Sequence, residues 1–507
     1  MKLRQDITKI GTLGAVYTMG NAVSMALGIL ALPILTRFIA PGQMGIVRIA
    51  AEIIAPLAII MNLGIVCALR NRFFKTEGED RTSFVRSLLV GVTLQMTVLG
   101  TALSLLGFWL APILLPNLPL GEHGLIILWL LIVWGAFAGC MELFGTRLAE
   151  LSQRAGLSVS IRLVHAVTQV ALGIVAVAVL GWQGLGRQAT IFAGGAVACI
   201  WSFALSWRWS RGHFDASVYR ETLPIGLGFV PHLLAGVLVL AINSWMLTKM
   251  GSAELMGIYG TAVLFARVQQ MPITALDAST YPTIVAYMRD GSEKARRQHS
   301  RLLVIILSGV LALSLLTYMF VPVAIRLLTA PSYHLAAKIV PVLAVAWCFA
   351  GVYMIMAQHV HYQGGGTWLS LASIPALIVS VALGWLLIPI WGAYGAAVAL
   401  LGCFIVRAAT VTAISQHLYR LPMRTGELLR VIACGAVLAT ADSVVAEKLS
   451  LPLAVGAKFL LLAMFVPLLM FSGVMNKSEL RTCLQMVFGR LQSRYGESDL
   501  SKNRPFS

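Results

Sequence analysis

Residues Leu302 to Val321 read LLVIILSGVLALSLLTYMFV, a stretch without one charged side chain. A helix of about 20 apolar residues spans the roughly 30 Å hydrocarbon core of a bilayer, so this stretch predicts a transmembrane helix. Stretches of the same kind recur along the chain, separated by short polar connections or by connections that contain Gly and Pro. The sequence therefore predicts an all-α polytopic membrane protein with about fourteen transmembrane helices.

Composition and charge support this interpretation. Of the 507 residues, 58% are apolar and 11% are charged, whereas soluble proteins are about 25% charged. A net charge of +18 would suggest a nucleic-acid partner in a soluble protein, but here most Lys and Arg residues fall in alternate connections, on one side of the membrane. This asymmetry follows the positive-inside rule and predicts cytoplasmic termini and no nucleic-acid partner.

The predicted spans leave little room for soluble domains. Their bounds in chain order are 11–36, 46–69, 83–107, 124–146, 157–180, 188–207, 224–248, 257–281, 302–321, 339–357, 368–388, 393–414, 428–446 and 454–473. The connections on both sides are too short to hold a catalytic domain. We expect the basic tail, residues 476–507, to contain an amphipathic helix at 479–491 that lies on the membrane surface.

An internal repeat organises the chain. The triplets Leu35-Thr36-Arg37 and Met44-Gly45-Ile46 recur as Leu247-Thr248-Lys249 and Met256-Gly257-Ile258, and Gly45 and Gly257 are 212 residues apart. The pair Trp182 and Gly186 recurs as Trp391 and Gly395 at a nearly equal offset. These matches predict that a six-helix unit was duplicated.

A unit of six helices enters the membrane each time in the same orientation. We therefore expect two lobes related by a pseudo-two-fold axis along the membrane normal, the parallel-repeat arrangement of some transporters. The predicted division is an N-terminal lobe at 1–210, a C-terminal lobe at 211–418, two further helices at 419–475 and a cytoplasmic basic tail at 476–507.

Ionisable side chains inside spans cost about 2.5 to 3.5 kcal/mol each on insertion scales, so each needs a reason. The second span carries Arg48 and Glu52 one turn apart, and Asn62 continues the same face. The eighth span carries a longer polar stripe made of Arg267, Gln270, Thr274, Asp277 and Tyr281. The first and seventh spans contribute Asn21 and Asn243 at similar spacing.

If the lobes face each other, these stripes line one central cavity. Guanidinium groups stay protonated and bind phosphate oxygens in pairs, so Arg48 and Arg267 are the candidate ligands of a pyrophosphate. Glu52 and Asp277 are candidates to pair with the arginines or to carry protons, and Asn21, Asn62, Gln270 and Asn243 are further polar cavity residues. Arg48 and Glu52 could equally form a simple ion pair near the membrane interface.

Other polar residues have ordinary explanations. We expect Arg162, Arg407 and Lys458 to extend toward the membrane surface from span ends. His165 and His232 are expected to be packed polar residues, and Glu142 and Asp442 stay ambiguous. The seven cysteines have no paired spacing and predict neither disulfides nor a metal site. No phosphate-binding loop of the ATPase type occurs, so we expect no cofactor, no catalytic residue and no ATP hydrolysis.

The sequence resembles the polysaccharide-transporter branch of the multidrug/oligosaccharidyl-lipid/polysaccharide (MOP) exporter superfamily, which includes the Wzx-type O-antigen flippases. The resemblance covers nearly the whole chain. It lies in the signature that ends at Leu32-Pro33, in the turn Arg37-Phe38-Ile39-Ala40-Pro41 that leads to Gly45, and in the counterpart from Leu223-Pro224 to Gly257-Ile258-Tyr259. Many relatives have Asp where this chain has Asn243, which argues against an ion site there.

The resemblance implies two lobes around a cavity that opens alternately to each side of the cytoplasmic (inner) membrane. It implies an undecaprenyl-pyrophosphate-linked oligosaccharide as substrate, for O-antigen, lipopolysaccharide or exopolysaccharide biosynthesis. Membrane lipids and the polysaccharide polymerase and export machinery are the further partners that it suggests.

Three alternatives stay open. A multidrug or metabolite exporter of the same superfamily would need cavity acids, whereas this cavity is predicted to be cationic. A membrane-embedded glycan polymerase or glycosyltransferase usually has outer-loop acids or a long outer loop, and residues 37–45 contain no carboxylate. A scaffold that transports nothing would leave both cavity arginines dispensable.

Overall fold

The fold is all-α, as predicted. The computed structural model describes residues 23–24, 26–73, 76, 78–152, 154–363, 366–448 and 451–476, and within these ranges no β-strand occurs. The helices of these residues are α1 (Ala26–Phe38), α2 (Pro41–Asn62), α3 (Ile65–Arg72), α4 (Gly78–Leu105), α5 (Gly107–Leu114), α6 (Glu122–Leu151), α7 (Ala155–Ile174), α8 (Gly184–Trp209), α9 (Ala216–Met250), α10 (Ala253–Ala266), α11 (Gln270–Asp290), α12 (Glu293–Leu328), α13 (Leu335–Tyr362), α14 (Gly366–Trp391), α15 (Ala393–Leu418), α16 (Thr425–Lys448) and α17 (Leu451–Phe471).

Eleven helical segments within the described ranges are long and apolar enough to cross a membrane. Three predicted spans are not among them. The first lies partly outside the described residues, as do Asn21 and the predicted tail helix at 479–491. The eighth is broken into α10 and α11, and the thirteenth corresponds to α16. The polytopic fold is therefore confirmed, and the count of fourteen stays a prediction.

Two predicted spans are interrupted for identifiable reasons. The predicted span at 46–69 breaks at Leu63 and Gly64, whose φ values of 47° and 73° are left-handed. A Cβ atom on Gly64 would lie 2.2 Å from the carbonyl oxygen of Gly226, so only glycine permits this approach of α9. Hydropathy does not register such a break, because the residues on both sides are apolar.

The eighth span was predicted as one continuous helix, and this prediction was wrong. A 3-10 turn, Arg267–Gln269, separates α10 from α11. Pro272 lacks an N–H group, and its ring would clash with the carbonyl of Val268 in a continuous helix. The chain therefore restarts as α11 at Gln270, which places the proline in a first turn, where it is tolerated. The predicted polar stripe is consequently divided between two helices.

The described residues form two compact units, one made of those within 1–268 and 321–414, and the other of those within 269–320 and 415–507. The first unit contains two large apolar clusters, one centred on α2, α4 and α6 and the other on α9, α10, α13 and α15. In the second unit, α12, α16 and α17 pack around residues such as Met319, Leu438 and Phe465. The two repeat lobes at 1–210 and 211–418 stay a prediction.

Within the first unit, α2 and α10 approach each other at two reciprocal contacts. A Cβ atom on Gly45 would lie 1.9 Å from the carbonyl oxygen of Ala253, and a Cβ atom on Gly257 would lie 1.9 Å from that of Pro41. Gly45 and Gly257 are equivalent in the repeat, and so are Pro41 and Ala253. In a two-fold arrangement, each contact of one residue with another recurs with the partners exchanged. The glycine contacts have this property.

Candidate functional site

Arg48 lies across α10 because Gly260 leaves it room. A Cβ atom on Gly260 would lie 2.5 Å from Cγ of Arg48. The Arg48 side chain is half-buried on α2, and Arg48 interacts electrostatically with Glu52, Tyr333 and Arg267. The structure thus brings together Arg48, Glu52 and Arg267, three of the residues that the sequence predicted.

These charges are close without being paired. No carboxylate oxygen of the described residues lies within 4.0 Å of the guanidinium nitrogens of Arg48 or Arg267. The Nε atoms of both arginines are buried and have no hydrogen-bond partner in the described ranges. Glu52 is half-buried and interacts electrostatically with both arginines. A simple Arg48–Glu52 ion pair is therefore not formed in this structure.

Arg267 is held by an aromatic side chain. It follows the last residue of α10, and its Cζ atom lies 5.8 Å from the centre of the Trp347 ring. Trp347 is fixed in turn by Phe404, with 5.3 Å between the ring centres. A cation over an aromatic face is stabilised while its charge is retained, so the guanidinium stays available to an anion.

Arg187 is a third cation of this region, and the sequence prediction missed it. The predicted span at 188–207 began four residues after the start of α8 at Gly184 and therefore excluded Arg187, which is 8% exposed. Its Nη1 atom donates to the carbonyl oxygen of Gln169 at 2.6 Å and to the Thr190 hydroxyl at 3.2 Å. Arg187 also interacts electrostatically with Arg48.

Gly173 makes room for this arginine. A Cβ atom at Gly173 would lie 2.0 Å from Nη1 of Arg187. Gly173, in the predicted fifth span, was therefore the sequence signal for a buried side chain at this place. The sequence does not show that this side chain is Arg187, because Arg187 lies on another helix. With Arg187 included, the described part of this region contains three guanidinium groups and one carboxylate, that of Glu52.

Asn243 and two tyrosines shape the region. Asn243 is buried on α9, and its Nδ2 atom donates to the Tyr259 hydroxyl at 3.1 Å and to the carbonyl oxygen of Ala396 at 2.8 Å. Asn243 thus links α9, α10 and α15. Tyr259 interacts electrostatically with Glu52 and Arg267. The hydroxyl of Tyr333, which is near Arg48, donates to the carbonyl oxygen of Ile39 at 2.7 Å.

The remaining predicted residues lie elsewhere or belong to the second unit. Asn62 ends α2, and its Nδ2 atom donates to the carbonyl oxygen of Ala58 at 2.6 Å. Fourteen residues separate Asn62 from Arg48, about 21 Å along a helix. Gln270 and Asp277 are half-buried residues of α11 in the second unit. Asn21 lies outside the described residues.

Three basic residues were expected to extend toward the membrane surface, and the structure corrects this for two of them. Lys458 is buried and donates to both carboxylate oxygens of Asp442, at 2.6 and 2.7 Å. Arg407 is buried, with its Cζ atom 4.0 Å from the centre of the Tyr353 ring. In both cases a partner on another helix stabilises the charge inside the protein. The third, Arg162, is half-buried and pairs with Glu150 at 3.1 Å.

Comparison with known proteins places this arrangement in context. A family model described as polysaccharide biosynthesis protein matches residues 13–288. No curated protein sequence matches the chain. Among solved structures, that of the lipid II flippase MurJ in an inward closed conformation aligns with a TM-score of 0.70 at 10% identity, over 91% of this chain and 100% of MurJ.

Two transporters have the same fold. An inward-facing multidrug resistance MATE family transporter of the MOP superfamily aligns with a TM-score of 0.63 at 14% identity, over 78% of this chain and 94% of its own. A MOP superfamily transporter from Pyrococcus furiosus, described as having a binding pocket of reversed polarity, aligns with a TM-score of 0.51 at 13% identity, over 81% and 95%. At these identities the likeness shows the fold alone, and that fold is a transporter fold.

Proposed function

The chain belongs to the polysaccharide biosynthesis protein family, and on that premise we propose that it carries an undecaprenyl-pyrophosphate-linked oligosaccharide across the cytoplasmic membrane. The lobes at 1–210 and 211–418 alternate between inward-open and outward-open states around the bound headgroup. Arg48 and Arg267 bind the pyrophosphate, the glycan crosses in the cavity, and the lipid tail stays in the bilayer. No chemical step on the substrate is needed.

The unpaired cations support this proposal most strongly. Arg48, Arg187 and Arg267 outnumber the single carboxylate of Glu52, and the buried Nε atoms of Arg48 and Arg267 lack partners in the described ranges. An unsatisfied buried polar atom costs about 1 to 3 kcal/mol, and more when the group is charged. Pyrophosphate oxygens would neutralise the excess charge of the guanidinium groups, which makes an anionic headgroup the best-matched ligand.

The main alternative is export of drugs or metabolites. The MATE transporter in the comparison has the same fold, so the fold does not separate the two functions. The Pyrococcus transporter is described as having a pocket of reversed polarity that suggests a different function. The charge of this chain's own site supports the flippase proposal, because three guanidinium groups disfavour cationic drugs.

The wider setting is part of the same proposal. The termini lie in the cytoplasm, the membrane is the inner membrane, and the product feeds O-antigen, lipopolysaccharide or exopolysaccharide synthesis beside a polymerase and export machinery. The excess of basic residues on alternate connections supports this orientation. Gln270, Asp277 and Asn21 stay cavity residues predicted from the sequence, and Glu52 or Asp277 stays a candidate proton carrier.

The experiment is deletion of the gene followed by mass spectrometry of polyprenyl-linked glycans. A complete oligosaccharide-lipid should accumulate on the cytoplasmic face, and wild-type protein should clear it. Arg48→Ala and Arg267→Ala should fail to clear it. Arg208→Ala, at an exposed position of α8, is the control and should behave as wild type.

Two outcomes of this experiment would contradict the proposal. If no lipid-linked intermediate changes on deletion, transport of such a lipid is wrong and efflux of small molecules becomes the leading function. If the intermediate accumulates but both alanine variants clear it normally, the flippase function stands and the arginine site is wrong. Protein level in the membrane must be equal for all variants.

A further inference from the structure

Glu142 and His165 form a titratable pair between two helices. Nδ1 of His165, on α7, lies 2.6 Å from Oε2 of Glu142, on α6. The His165 side chain is 25% exposed and the Glu142 side chain is 15% exposed. Protonation of the His165 ring sets the net charge of the pair. Intramembrane ionisable residues are costly and often mark proton relays, so this pair requires an explanation beyond packing.

The pair lies inside two helices that are long and apolar enough to cross a membrane. Glu142 precedes the end of α6 at Leu151 by nine residues, and His165 follows the start of α7 at Ala155 by ten. At 1.5 Å per residue these separations are about 14 and 15 Å. Half of a roughly 30 Å hydrocarbon core is about 15 Å. α6 has 30 residues, a length of about 45 Å, and therefore extends beyond such a core. The pair consequently lies between the middle of the bilayer and the α6–α7 connection.

One added proton changes the charge of this pair from −1 to zero. With a neutral ring, Nδ1–H donates to the Glu142 carboxylate and the pair carries one negative charge. A proton added at Nε2 produces an imidazolium–carboxylate pair with no net charge. Nε2 of His165 is buried and has no partner in the described ranges, and it faces Gly195, whose added Cβ atom would lie 4.0 Å away. The ring therefore has an unused position for that proton.

A polar face of α7 connects the pair with the end of the helix. Ser158, Arg162, His165, Gln169 and Gly173 recur at intervals of three or four residues and share one face. Near the α6–α7 turn, Glu150 pairs with Arg162 at 3.1 Å and with Arg147 at 2.6 Å. The basic residues of this connection predict that it faces the cytoplasm. Polar side chains thus lie between that connection and His165.

The same face leads on to the candidate anion site. Gln169 lies one turn beyond His165, and its carbonyl oxygen accepts from Nη1 of Arg187 at 2.6 Å. Arg187 interacts electrostatically with Arg48. Two thiols also lie near the pair: Cys199 on α8 interacts electrostatically with Glu142, and Cys140 on α6 interacts with Cys199. The pair thus lies on the polar face of α7 between the Glu150–Arg162 ion pair and Gln169, which contacts Arg187.

We propose that Glu142 and His165 form a proton-binding site whose occupancy controls anion binding at Arg187 and Arg48. The deprotonated pair is an anion that attracts Arg187 and competes with a pyrophosphate for its charge. Proton uptake neutralises the pair, so the arginines bind the anion more tightly, and proton release weakens that binding. Proton binding stands apart from the proposed function, whereas the coupling rests on it.

Proton binding is tested on the full chain in lipid nanodiscs by nitrogen NMR of labelled histidine. The chain has nine histidines, and the His165 signal is the one that disappears in His165→Gln. It should change when the pH is varied, because a proton gained by the ring alters the signals of its nitrogens. Glu142→Gln should alter the response, whereas Glu122→Gln, at an exposed position in the first turn of α6, should leave it unchanged. A His165 signal that is constant throughout overturns the proton site.

Coupling is tested with undecaprenyl pyrophosphate as the probe, bound to the same nanodiscs at pH 6 and pH 8. The probe itself ionises, so the ratio of the two affinities in His165→Gln is the baseline. Wild type should exceed that ratio by about fivefold or more, the usual size of coupling between sites. Equal ratios with a titrating His165 overturn the coupling. A titrating His165 without probe binding at either pH overturns the proposed ligand and leaves the proton site intact.

Discussion

The reciprocal glycine contact between α2 and α10 yields a quantitative prediction. Gly45→Ala and Gly257→Ala each place a Cβ atom 1.9 Å from a carbonyl oxygen of the other helix, whereas real Cβ atoms essentially never approach closer than 3.0 Å. The helices must separate by about 1.1 Å at that point. Overpacking of this kind typically costs about 1 to 3 kcal/mol. We therefore expect each variant to lose that much free energy of unfolding.

The two variants should not add. The same separation of α2 and α10 relieves the steric clash of either substitution. Once the first substitution has separated the helices, the second therefore costs little further free energy. Sites that share a backbone shift depart from additivity by about 0.5 to 3 kcal/mol. The double variant should thus lose nearly the same free energy as either single variant. If transport requires a conformation in which α2 and α10 are close together, these variants should also clear less lipid-linked glycan.

The assay is thermal unfolding in nanodiscs followed by tryptophan fluorescence. Gly42→Ala is a matched control on the same helix, because its added Cβ atom would lie 3.9 Å from the backbone nitrogen of Glu254, an ordinary contact. It should unfold as wild type does. If Gly42→Ala is equally destabilising, or if the double variant loses the sum of the single losses, the close reciprocal contact does not exist as described.

Two further predictions concern other helix pairs. Gly173→Ala should displace the Arg187 guanidinium and weaken binding of undecaprenyl pyrophosphate in a titration. Gly156→Ala is the control and should bind as wild type does, because nothing lies within 4 Å of its added Cβ atom. If the two variants bind the probe with equal affinity, Arg187 is not part of the site. Lys458→Met leaves Asp442 as an unpaired buried carboxylate and should cost about 3 to 5 kcal/mol of unfolding free energy. Adding Asp442→Leu to Lys458→Met should recover most of the lost unfolding free energy in the same thermal assay. A double variant as unstable as Lys458→Met alone would show that the pair is not buried.

The sequence predicted most helices because their apolar length alone specifies them. The predicted span at 124–146 lies inside α6, and the span at 188–207 lies inside α8. The breaks were not predicted. Gly64 looks like any glycine in an apolar run until α9 approaches it. The break after α10 was signalled by Pro272, but prolines inside spans commonly only bend a helix.

The site was predicted less completely, because charge pairing depends on helices far apart in sequence. The sequence revealed Arg48, Glu52 and Arg267 because a charged side chain inside an apolar span is costly. Arg187 was missed at the edge of a predicted span. Lys458 was assigned to the surface since its partner Asp442 lies on another helix. Periodicity within one helix does not identify such partners.

The position of Arg48 over Gly260 bears on the history of the chain. The two residues are equivalent in the repeat, because each lies three positions after the glycine of its Met-Gly-Ile triplet. Arg48 therefore occupies the space above its own counterpart. In an ancestral homodimer of identical halves, two arginines at this position would have collided and repelled each other, and two glycines would have left it without a cation. If the halves arose by the predicted duplication, they must have diverged at this position before one of them could place a cation over the other.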